Sequence, residues 1–145
     1  MKGIVLAAAL LLGVSVAHAQ NAVPDIKGTW LFKGKAVIFG SNPHHPEAAV
    51  NAATPRVLDA DFTFVITGQD GRLAWGYNFS TVSAAHEPMA WAIASDGKTI
   101  VGSDTDGSYR LTVVSADRLE LCYTHSGVSP SKSIVATCEM MDRKK

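Results

Sequence analysis

From Gly28 onward, apolar and polar residues alternate with period two, and turn residues interrupt the alternation at the spacing of an all-β barrel or sandwich. No long stripe of helical spacing occurs. In the first predicted strand Trp30, Phe32, Ala36 and Ile38 share one face, with Lys33 and Lys35 on the other. In the second, Leu58, Ala60, Phe62, Phe64 and Ile66 alternate with Asp59, Asp61, Thr63 and Thr67, which marks the apolar set as inward. Asp70-Gly71 predicts a type I′ hairpin turn. Folding the chain there sets Ile66 against Trp75, Phe64 against Tyr77 and Phe62 against Phe79, so that large apolar residues meet on one face.

Asp96-Gly97 predicts a second tight turn that pairs Ile93 with Ile100 and Trp91 with Gly102. A turn at 104–107 then pairs Ile100 with Leu111 and Gly102 with Tyr109. The last two strands fall near 118–125 and 133–141. A two-residue turn at Ala116-Asp117 would put Cys122 and Glu120 inside. A bulged turn would put Leu119, Leu121 and Tyr123 inside and turn Glu139 inward, and it is preferred because it buries more apolar area. About eight consecutive strands with one long connection, 40–56, predict an eight-stranded antiparallel up-and-down β-barrel, since closure removes exposed edges. A flattened sandwich is the alternative.

The first 19 residues read as an address. Lys2 is followed by an apolar run from Ile4 to Val16 and by Ala17-His18-Ala19, a small-x-small cleavage site. The run is shorter than the roughly 20 residues that span a bilayer. Residues 1–19 are therefore expected to be a secretory signal peptide, and residues 20–145 a single periplasmic or secreted domain with no membrane span. In that oxidising setting Cys122 and Cys138 are expected to pair, because a hairpin centred near Pro130 sets them opposite each other. Two buried thiols are the alternative. With 13 Lys plus Arg and 13 Asp plus Glu among 145 residues, and no basic run, nucleic acid is not an expected partner. Loss of Lys2 on cleavage leaves 12 minus 13, a charge of −1.

Gly28-Thr29-Trp30 at the start of the first strand resembles the Gly-x-Trp element of the calycins, the superfamily of lipocalins and avidins. The chain is similar to an avidin in length and in its eight-strand meander. The resemblance implies that Arg143, just beyond the last strand, packs over Trp30 as a structural lid at one barrel end. It also implies polar contacts to biotin in and after the first strand. Here that stretch is Leu31-Phe32-Lys33-Gly34-Lys35-Ala36, which lacks the Asn and Ser that would pair with the ureido group, so biotin is not expected.

In a meander, alternate loops share one end of the barrel. The expected mouth therefore gathers His44, His45, Glu47, His86, Glu87, Asp104, Asp106 and His125. Imidazoles and carboxylates of this kind can ligate metal or exchange protons, so His44, His45, His86 and His125 are candidate ligands, beside the simpler reading of solvated loop residues. Below the mouth, Phe62, Phe64, Trp75, Tyr77, Trp91 and Tyr109, with His86 at the rim, are the candidate ligand-binding set. Either a cavity or a filled core is compatible with eight strands. Small residues at 34, 36, 60 and 102 favour the cavity.

The expected function is binding of a small molecule of unknown identity, with no cofactor implied and a homo-oligomer possible. Two other readings stay open. Asp106-Gly107-Ser108-Tyr109 resembles the loop of periplasmic lysozyme inhibitors, without their repeated Ser-Gly. An inward Glu120 or Glu139 could serve an acid–base enzyme, although no Gly-x-Ser-x-Gly elbow or dinucleotide motif is present.

Overall fold

The computed structural model describes residues 22–40, 54–126 and 133–145. Eight strands follow one another: β1 (Gly28–Phe39), β2 (Arg56–Asp70), β3 (Leu73–Ser80), β4 (Glu87–Ile93), β5 (Thr99–Ser103), β6 (Ser108–Ser115), β7 (Arg118–Ser126) and β8 (Ile134–Arg143). Each pairs antiparallel with its neighbour, and β8 pairs with β1 to close the barrel. The described residues contain no helix. The predicted signal peptide, His44, His45, Glu47 and Pro130 lie outside the described residues.

Alternation explains the packing. Trp30, Phe32, Ala36 and Ile38 of β1 and Ala60, Phe64 and Ile66 of β2 are buried, while Lys33, Lys35, Asp59 and Asp61 are exposed. Ile93↔Ile100, Trp91↔Gly102, Ile100↔Leu111 and Gly102↔Tyr109 pair as the turns predict. A bulge between Val113 and Ser115 sets Leu111 against Leu121, with Leu119 and Leu121 buried, as the preferred register requires.

β3 departs from expectation. The β2–β3 turn is Gly71-Arg72 instead of Asp70-Gly71, with Gly71 alone at positive φ (52°), and a bulge lies between Ile66 and Gly68. Ile66 consequently pairs with Gly76, Phe64 with Asn78 and Phe62 with Ser80. The shift by one residue turns the whole strand over. Ala74, Asn78 and Ser80 point inward and are buried, whereas Trp75 is 49% exposed on the outside. Volume accounts for this. The interior beside β3 already holds Phe64, Trp91 and Tyr109, whose rings lie 5.9–6.0 Å apart, so only small side chains fit there. Outside, the Trp75 indole lies over Gly68, where a Cβ would come within 2.3 Å of the ring.

One end of the barrel is plugged. Trp30 is fully buried, donates from Nε1 to the Ile26 carbonyl at 2.9 Å, and carries the Arg143 guanidinium 4.3 Å from its ring centroid. Arg143 donates to the carbonyls of Lys27, Asp25 (2.8 Å) and Ala116 (2.9 Å), and lies 3.2 Å from the Asp117 carboxylate. The Gln69 side chain ties the leading segment down by accepting from Ile26 N and donating to the Pro24 carbonyl, both at 2.9 Å. On the outer wall, Cys122 and Cys138 are directly opposite on β7 and β8 and form a disulfide with Cα atoms 4.0 Å apart.

Candidate functional site

At the other end lies a cavity of about 60 Å³. Its apolar lining includes Phe32, Leu58, Phe62, Phe64 and Val135, and its polar lining includes Asn78, Asp104, Tyr109, Tyr123 and His125. Ala36 and Ala60 border it and leave the space open. Gly34 and Gly102 do not contribute space. A Cβ on Gly34 would stand 2.4 Å from Glu139 Cγ, and one on Gly102 would meet the Trp91 ring at 2.3 Å.

A hydrogen-bonded chain runs along the polar wall. Asn78 Nδ2 donates to the Tyr109 hydroxyl at 3.2 Å, and that hydroxyl donates to Asp104 Oδ2. Tyr123 reaches Asp104 Oδ1 at 3.5 Å. The same Oδ1 accepts the backbone N–H groups of Asp106 (3.0 Å) and Gly107 (2.7 Å), which holds the β5–β6 turn in place. Burial, reinforced by the Asp104 carboxylate, pushes the Tyr109 hydroxyl well above the ordinary tyrosine range. Tyr123 is raised by burial first and then by Asp104, Asp106 and Glu87. Both phenols therefore stay protonated at neutral pH. They can donate hydrogen bonds and present ring faces, but they cannot act there as bases.

Of the ligand-binding set predicted from sequence, Phe62, Phe64 and Tyr109 line the cavity. Trp91 is inside the barrel and packs against Phe64 and Tyr109, but it does not border the cavity. Trp75, Tyr77 and His86 require correction: the reversed strand carries Trp75 and Tyr77 to the outer wall, and His86, just before β4, follows them there. His86 stacks there on Tyr77 (4.4 Å between centroids) and on Phe79 (5.1 Å). His125 takes the opposite position, buried inside with Ser133 Oγ 3.1 Å from its Nε2. His86 and His125 are thus on opposite sides of the wall. Among the described residues, no group of three or more His, Cys, Asp or Glu side chains is placed to hold a metal ion.

The two other readings also meet the geometry. Tyr109 is buried inside the barrel, so the 106–109 segment does not present it to a partner's cleft. Glu120 is exposed on the outside. Glu139 sits in the β1–β8 seam, where it accepts the Lys35 N–H at 3.3 Å and does not border the cavity.

Asn78 and Tyr123 are among the cavity residues that the predicted set lacks. The signal for Tyr123 is present in the bulged register, which turns it inward. Asn78 belongs to an Asn-Phe-Ser triplet within a strand, and only the β3 register reveals that it faces the interior.

Neither a protein-family model nor a curated protein matches the chain. Among solved structures, the S-type phycobiliprotein lyase CPES from Guillardia theta is similar over 83% of this chain and 89% of the lyase, at 12% identity and a TM-score of 0.38. The closed eight-strand meander carries Trp30 at its start beneath Arg143 at its end.

Proposed function

We propose that the protein is an exported barrel that binds a small, partly apolar molecule at the end opposite the Trp30–Arg143 plug. The observation that carries this reading is a cavity with an aromatic and aliphatic floor and one hydrogen-bonded polar wall, the composition of a small-molecule site. Size limits the ligand. A space of about 60 Å³ is several times smaller than the roughly 300 Å³ or more that encloses a drug-sized molecule. It suits the inner end of a ligand whose remainder lies in the mouth. The signal-peptide character of residues 1–19 supports export, and the disulfide is compatible with an oxidising compartment.

Native mass spectrometry of protein purified from its own host tests the binding reading. A small organic adduct that is released on collisional activation is expected. A bare polypeptide mass, together with failure of small aromatic alcohols to bind, would refute it.

A further inference from the structure

The hydrogen bonds along the cavity wall have a fixed direction. The Asp104 carboxylate only accepts, and it already takes two backbone N–H groups on Oδ1. The Tyr109 hydroxyl therefore spends its single proton on Oδ2, and burial beside that carboxylate keeps the proton on the phenol. What remains on the Tyr109 oxygen is a lone pair. The Asn78 atom 3.2 Å away must then be the amide nitrogen, which fixes the orientation of the amide.

Asn78 Oδ1 is consequently left on the other prong. The side chain borders the cavity and is 5% exposed, and among the described residues nothing donates to this oxygen. This oxygen opens onto the cavity, so a ligand that brings a donor pairs with it, whereas a ligand without one covers it and leaves it unpaired, which is unfavourable. We propose that Asn78 Oδ1 is the recognition atom of the cavity, selecting molecules whose inner end carries a hydroxyl or N–H donor. This rests on the binding reading above. A hydroxyl can satisfy Oδ1 and also accept the second Nδ2 proton. An ether can do only the latter, and a hydrocarbon neither.

Benzyl alcohol, benzyl methyl ether and toluene form a matched probe series, titrated into the full chain and followed by calorimetry and by the side-chain amide signal of Asn78 in NMR spectra. Benzyl alcohol is expected to bind about tenfold more tightly than the other two, the penalty typical of leaving a buried polar group unpaired. In Asn78→Leu the three affinities should fall within about twofold of one another. Equal binding of alcohol and ether to the natural protein would overturn the donor preference while leaving the binding reading standing. So would an advantage for the alcohol that survives in Asn78→Leu. If none of the three binds, this inference is overturned, and the binding reading falls with it when the purified protein also carries no adduct. The comparison on the natural protein decides the matter even if Asn78→Leu does not fold.

Discussion

Ala60→Leu separates a hollow interior from a filled one by the sign of its effect. Ala60 is 7% exposed and borders the cavity on β2, so the added carbons enter the open space. Cavities in protein cores cost about 24 cal/mol per Å³, so filling 60 Å³ should stabilise the fold by about 1.4 kcal/mol. For a domain of this size that is a rise of roughly 4–6 °C in Tm. Ala74→Leu is the control. Ala74 is equally buried but belongs to the packed core and does not border the cavity, so overpacking should cost about 1–3 kcal/mol there. Guanidinium unfolding with unchanged slope measures both. Benzyl alcohol binding should also vanish in Ala60→Leu. A loss of stability in Ala60→Leu similar to that in Ala74→Leu would refute the hollow interior.

Other consequences are open to direct measurement. Arg143→Leu removes the cation over Trp30 and the donors to three carbonyls, and should lower stability by about 2–4 kcal/mol in chemical denaturation, with no change in probe affinity. Replacing Cys122 and Cys138 by Ser should cost about 3 kcal/mol, read from the same unfolding curves, because the bridge closes a loop of 16 residues. Tyr109 and Tyr123 are raised in the folded state, so their contribution is complete below the unfolded-state value near 10 and declines as pH rises above it. Stability should therefore fall above about pH 10, less steeply in Tyr109→Phe. The Asp96 carboxyl is held at about 2 by the Thr99 backbone N–H, with help from the Thr99 hydroxyl and the Lys98 N–H. An NMR titration should find it there, and the stability it supports above its ordinary value should disappear as pH falls through about 2. If export proceeds as proposed, N-terminal sequencing of the mature protein should begin at Gln20.

Period-two alternation was sufficient to find the strands, because half-buried strands must separate their two faces along the sequence. The tight turns at 96–97 and 104–107 fixed their registers because each leaves few ways to join its strands. β3 escaped the same logic. Matching large apolar residues across β2 and β3 favours Trp75 and Tyr77 inside, whereas the finite bore of an eight-stranded barrel favours Ala74, Asn78 and Ser80. The second constraint involves β4 and β6 together, since Trp91 and Tyr109 occupy the space, and a pairwise reading of neighbouring strands does not contain it. The bulge at Ile66/Gly68 resolves the conflict. Only Gly68, which lets the Trp75 indole lie over it, hints at this in the sequence. The candidate site inherited the error directly. Phe62, Phe64 and Tyr109 were legible because their strands kept the expected register, and Asn78 was not.

The central claim is that ligands enter the barrel instead of coating its aromatic exterior. Intermolecular nuclear Overhauser contacts from benzyl alcohol to assigned ring protons test it most directly. Contacts to Phe62, Phe64 and Tyr109, with none to Trp75 or Tyr77, are predicted. Contacts confined to Trp75, Tyr77 and Phe79 on the outer wall would contradict it.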